Sequence, residues 1–280
     1  MKTLAIIGPG LLGGSIALAA RRAGGWRTAL WARRAAAVAE IVALGIADAA
    51  STDLRGIVAG ADLVVLCVPI GAMPALAREI ADAISERTIV TDVGSVKASV
   101  VADVGAIFHG RGRFVGSHPM AGSEQTGIGA ARAELFDGAA CIVTPDAATD
   151  TGALAEVCAF WQTLGARVLE VAPAAHDEIV ALVSHLPHLL AATLVQTVLA
   201  ENARAFEFCG PGFRDTTRVA AGPPTMWAEI LRTNREAVRK SAEAMIEKLR
   251  GIITLLDQDE PMTAFLTAAK TQRDRLRLPK

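Results

Sequence analysis

The sequence holds five histidines, and His118 lies in the distinctive stretch Gly116–Glu124, GSHPMAGSE. An imidazole titrates near neutral pH, so at the mouth of a cleft it can draw a proton from a reacting hydroxyl. Taken alone it can equally be a polar residue that closes a strand, the commoner outcome for a single histidine. His185 and His188 stand three apart in SHLPH, near one face of a helix. A His-x-x-His pair invites a metal reading, yet no third ligand or carboxylate accompanies it at a recognisable spacing, so no metal is expected.

A different chemistry is written in Gly8-Pro9-Gly10-Leu11-Leu12-Gly13, which fits GxGxxG. The first glycine permits a tight turn, the second lets the backbone approach a pyrophosphate, and the third lets helix pack on strand. The helix that follows offers its free amides to phosphate. An NAD site also wants an acid at the end of the second strand to accept from the ribose hydroxyls. Here the chain reads Trp31-Ala32-Arg33-Arg34. A small neutral residue and two guanidinium groups suit a 2′-phosphate, so NADP is favoured over NAD. The alternative is that Arg33 and Arg34 are solvated residues starting a helix. Two further loops belong at strand ends where ligands bind in open sheets: Val68-Pro69, and Gly94-Ser95 within DVGSVK. Ser95 could be the N-cap of the next helix, a role compatible with facing a ligand.

Positioning these residues requires a sheet. Probable strands are Thr3–Gly8, Arg27–Ala32, Asp62–Val68, Thr88–Asp92, Arg113–Gly116, Ala140–Thr144 and Ala166–Val171, with helices such as Leu11–Ala23 and Met73–Ser85 between them. That alternation predicts a mostly parallel sheet covered on both faces, a Rossmann-type domain over residues 1–171. From residue 172 to 280 no convincing strand follows. Helices are expected over His176–Asn202, broken at Pro187, then Met226–Asp257 and Thr263–Leu276. Leu231, Val238, Met245, Leu249, Ile252 and Leu256 recur at helical spacing. They either pack within their own domain or form a dimer interface.

Composition narrows the classes. With 52% hydrophobic residues the chain can bury a substantial core. The net charge of −1 gives no electrostatic reason for a nucleic acid or anionic membrane partner. The apolar run at the N-terminus is too short for a signal segment, and no run elsewhere reads as long enough to span a membrane. Cys67, Cys141, Cys158 and Cys209 form no CxxC pair and read as reduced residues of a cytoplasmic protein.

Taken in order, GPGLLGGS, DVGSVK, GSHPMAGSE, SHLPH and GFRDTTRVA resemble the prephenate/arogenate dehydrogenase (cyclohexadienyl dehydrogenase) family over essentially the whole chain. The resemblance implies a Rossmann-type domain followed by an all-α C-terminal dimerisation domain, hence a homodimer. It also implies oxidative decarboxylation of prephenate or arogenate to the keto-acid precursor of tyrosine or to tyrosine. His118 would match the histidine that draws off the ring-hydroxyl proton, with a pKa near the working pH. Ser95 would bridge that hydroxyl, the histidine and the nicotinamide. Arg218 would grip a substrate carboxylate, His185 would make a polar substrate contact, and Trp227 would stand near the pocket. Two rivals are a β-hydroxyacid dehydrogenase using Lys97 as its catalytic lysine, and a catalytically silent NADP-binding protein. Neither explains GSHPMAGSE together with SHLPH.

Overall fold

The computed structural model describes residues 1–108, 113–122 and 125–276. Ser123 and Glu124, the last residues of the GSHPMAGSE motif, and residues 277–280 lie outside them. An eight-stranded sheet runs in the order β3-β2-β1-β4-β5-β6-β7-β8. The strands are β1 (Lys2–Ile7), β2 (Trp26–Trp31), β3 (Ala49–Ser51), β4 (Leu63–Leu66), β5 (Ile89–Asp92), β6 (Arg113–Pro119), β7 (Ala140–Thr144) and β8 (Arg167–Glu170). All neighbours pair in parallel except β6 and β7. Leu4 and Ile6 of β1 point into one core, Ala5 and Ile7 into the other. That two-sided burial is why its sequence is apolar without alternation.

Seven strands match the sequence expectation to within a few residues, and β3 is an addition. It has three residues, two of them alanine, and its register comes from pairing with β2. Such a segment carries no pattern of its own. β6 is longer than expected, because antiparallel pairing with β7 carries it on to Pro119. His118 therefore lies inside a strand, opposite Ile142, rather than beyond its end.

The helices of the first half are α1 (Leu11–Ala23), α2 (Ala35–Ala43), α3 (Leu54–Val58), α4 (Met73–Ala81), α5 (Ala98–Phe108) and α6 (Thr151–Thr163). The second half holds α7 (Pro173–Val180), α8 (Leu186–Glu201), α9 (Pro211–Thr217), α10 (Pro224–Thr233), α11 (Arg235–Ile253) and α12 (Asp259–Arg275). The expected break at Pro187 is instead a π-helical turn, Ala181–His185, joining α7 to α8. Proline lacks the N–H that would bond the carbonyl four residues back, and its ring crowds that carbonyl. A wider turn just upstream relieves both and keeps the helix continuous.

The run Pro173–Glu201 has a mean hydropathy of 1.6 in its most apolar window and is, by length and composition, long enough to cross a membrane. That corrects the sequence reading. The same run buries four polar residues, His176, Asp177, His185 and His188. The expected helix Met226–Asp257 is split at Asn234. Its apolar stripe is covered at Val238, whereas Leu249 and Leu256 are exposed in the single chain.

Candidate active site

His118 stands where the two halves meet. Its Nδ1 is 2.9 Å from Nε2 of His176, whose Nδ1 is 2.8 Å from Oδ1 of Asp177. The Asp177 carboxylate also accepts from the backbone amides of Lys97 (2.7 Å) and Ala98 (2.9 Å), capping α5 from the helical half. These partners decide the ring protons. A carboxylate accepts, so His176 presents Nδ1–H to it. A neutral His176 then has a bare Nε2, which accepts from Nδ1–H of His118. What remains on His118 is an unprotonated Nε2, the basic lone pair.

Burial holds His118 well below the ordinary histidine range, and the neighbouring His176, Lys97 and His185 push it the same way. These surroundings favour the neutral ring over the imidazolium. The relay compensates, because a proton gained at Nε2 makes an imidazolium that the His176–Asp177 pair stabilises.

Ser95 is half-buried in the loop after β5. It does not cap α5, whose first amides are taken by Asp177. Its backbone lies beside His185, whose ring is fully buried. His185 is lowered to about 4, first by burial; Asp177 and the Ser95 carbonyl act in the opposite direction. Nε2 of His185 has no hydrogen-bond partner among the described residues. Trp227 stacks on His188, with centroids 3.6 Å apart, and meets His185 edge-on at 6.2 Å. His188 is also kept low by burial, opposed by the Val219 carbonyl, and its Nδ1 likewise lacks a hydrogen-bond partner among the described residues. Arg218, one residue before Val219, is exposed at the start of a 3-10 turn.

Lys97 does not face a cleft. Its ammonium is fully buried, ion-paired to Asp92 and 2.8 Å from the Ser117 carbonyl, while Asp92 accepts from the amides of Ser117 and Gly94. Burial lowers Lys97 and Asp92 opposes that. The pair clamps the backbone beside His118 and Ser95, which leaves the Lys97 rival without a free amine.

The glycine motif fits a dinucleotide. Gly8 has φ +119°, and a Cβ there would lie 2.2 Å from the Cys67 carbonyl oxygen. A Cβ on Gly13 would lie 2.0 Å from the Gly8 carbonyl oxygen. Gly10 has nothing within 4 Å of that position, and no side chain caps α1, so its first amides face open space beside Leu11 and Leu12. A cleft of about 440 Å³ brings together Gly8, Trp31, Arg33, Arg34, Val68 and Pro69. Ala32 is buried behind it, and neither Arg33 nor Arg34 has an acidic partner among the described residues.

Sequence reasoning missed His176, Asp177 and Asn234. His176 and Asp177 looked like an ordinary helix start, and nine residues is two and a half α-turns, which sets positions 176 and 185 on opposite faces. The π turn at Ala181–His185 interrupts that regular spacing, and both histidines are fully buried. The accumulation of three of five histidines on one helical run was the available signal.

The family descriptions "Prephenate dehydrogenase, nucleotide-binding domain" and "Prephenate dehydrogenase, dimerization domain" match residues 16–170 and 172–269. A cyclohexadienyl dehydrogenase from Zymomonas mobilis is 35% identical over 279 residues, covering 97% of this chain and 95% of that protein. The crystal structure of prephenate dehydrogenase from Aquifex aeolicus, in complex with hydroxyphenyl propionate and NAD+, superposes with a TM-score of 0.92 at 32% identity, covering 99% of this chain and 98% of that one. Synechocystis arogenate dehydrogenase gives a TM-score of 0.84 at 31% identity, covering 98% and 99%.

Proposed function

The chain belongs to the prephenate dehydrogenase family, and from that premise we propose that it oxidatively decarboxylates prephenate, or arogenate, for tyrosine biosynthesis with NADP preferred over NAD. The observation that carries the reading is the relay ending on a bare Nε2 of His118. The bound nicotinamide supplies the hydride acceptor. His118 takes the proton of the ring hydroxyl as the carbonyl develops, and the electron pair left when the ring carboxylate departs as carbon dioxide completes the aromatic ring. A positioned base of this kind contributes about 10²–10⁴-fold.

Ser95 bridges the hydroxyl, His118 and the nicotinamide. Arg218 holds a carboxylate bidentately, a task that suits guanidinium over ammonium. His185 donates to the substrate, and Trp227 walls the pocket with His188. The glycine turn and the first amides of α1 take the pyrophosphate, with Val68, Pro69 and Gly94 alongside. Arg33 and Arg34 take the 2′-phosphate beside Ala32, a role their freedom from acidic partners supports. We read residues 1–171 as the cofactor domain and 172–280 as the substrate and dimerisation domain. Exposed Leu182, Val183, Leu249, Ile253 and Leu256 are surface for a second copy. The four free cysteines fit a cytoplasmic enzyme, and the balanced charge gives nucleic acid or a membrane surface no hold.

Steady-state rates with both substrates and both cofactors test this. His118→Asn is expected to lower kcat by about 10²–10⁴-fold with little change in NADP affinity, and Arg33→Ala to raise the KM of NADP more than that of NAD. Unchanged turnover in the first variant removes the base assignment, and equal effects in the second remove the NADP preference.

A further inference from the structure

Asn234 breaks the helix that the sequence leads one to expect. It sits between α10 and α11 with φ −101° and ψ 27°, outside helical geometry, and is only 7% exposed. Its amide nitrogen lies 2.8 Å from the backbone carbonyl of Asp177 and 3.2 Å from Nδ1 of His185. A carbonyl can only accept, so the group turned toward Asp177 is the NH2 and not the amide oxygen. The same NH2 faces His185, whose Nδ1 must then be the bare nitrogen. The ring proton of a neutral His185 therefore sits on Nε2, the buried atom without a hydrogen-bond partner among the described residues.

We propose that Asn234 is a positioning residue: its amide, oriented by the Asp177 carbonyl, holds His185 as the Nε2–H tautomer and presents bound substrate with a donor rather than an acceptor. Asp177 thereby sets both histidine systems. Its carboxylate leaves a bare Nε2 on His118, and its main-chain carbonyl, through Asn234, leaves a proton on Nε2 of His185. A base and a donor placed together serve a substrate that must lose one proton while its oxygens stay held. This deepens the function proposed above and rests on it for the substrate.

The test begins with 15N-labelled histidine in the wild-type enzyme, His185 being assigned by the signal lost in His185→Gln. Nδ1 is expected unprotonated and Nε2 protonated; the reverse pattern overturns the proposal. Asn234→Leu is expected to release the tautomer and lower kcat/KM for prephenate or arogenate about tenfold, through KM, with cofactor affinity unchanged. Asn234→Asp keeps the shape but offers only acceptors, so it is expected to move the proton to Nδ1 and to leave kcat/KM low. If Asn234 only braces the helix junction, the variants lose thermal stability while the His185 spectrum and kcat/KM stay at wild-type values, and the proposal fails. Should Asn234→Leu not fold, the wild-type spectrum and Asn234→Asp still decide. A wild-type enzyme that turns over neither substrate overturns the functional reading instead, and leaves the spectrum to judge Asn234.

Discussion

At the scale of residues, the site is a set of proton assignments imposed from outside the rings. His118 by itself is a buried imidazole with a depressed pKa, a weak base. In the role proposed for it, its competence rests on a partner that accepts its Nδ1–H and is in turn held by a carboxylate whose two oxygens are already committed to the amides of Lys97 and Ala98. Asp177→Asn tests this directly. The amide cannot serve both backbone N–H groups and His176, and it has no charge to balance an imidazolium. We expect kcat to fall by about tenfold to a hundredfold, with a loss of about 1 kcal/mol in stability from the cap and an unaltered cofactor dissociation constant. Steady-state kinetics and cofactor titration measure it; a kcat equal to wild type would mean that the relay is only a brace.

At the scale of elements, α1 shows how one short motif serves two ends. Gly13 is required for packing, since any Cβ there runs into the Gly8 carbonyl, whereas the space at Gly10 is open. Gly13→Ala is therefore expected to lower the melting temperature. Gly10→Ala is expected to leave the melting temperature of the cofactor-free protein nearly unchanged while cutting dinucleotide affinity at least tenfold, because its methyl occupies the approach of the pyrophosphate. Thermal melts with and without NADP separate the two effects, and similar melts for both variants would contradict the division. The π turn between α7 and α8 works in the same way, giving up regular geometry just ahead of Pro187 while His185 meets Asn234 and Trp227.

At the scale of the molecule, polar bridges join the two halves beside the site. Asp177 caps α5, His176 meets His118, and Glu229 of α10 accepts from the Gly71 amide at 2.7 Å. Four histidines sit buried at or near this junction with pKa values below 6.5, His185 at about 4. The sign follows from linkage: as pH falls below 6.5 the unfolded chain takes up protons that the folded one refuses, so stability declines, and above that range these groups contribute no slope. His185 alone contributes on the order of 3 kcal/mol to the loss by the time its folded pKa is reached. Melting temperatures measured across that window are expected to fall steadily from about pH 6.5 toward 4, and a flat profile would mean that the rings are already protonated in the native state.

The sequence by itself determined the alternating strands and helices of the first half, the dinucleotide turn, the change to helices near residue 171, and the candidacy of His118, Ser95, His185, Arg218 and Trp227. Each of these is local: periodicity, a fixed glycine spacing, a motif read in order. The tertiary structure alone decided that β6 runs on through His118, that Lys97 is locked against Asp92, and that Asp177, not Ser95, caps α5. It alone placed His176 and Asn234 against the rings whose protons they set. The cap and the two ring contacts depend on groups 49 to 80 positions apart meeting in a buried junction, where a hydrogen-bond partner has to be found and the dielectric is low. A protonation state is a property of that meeting, and no spacing along the chain records it.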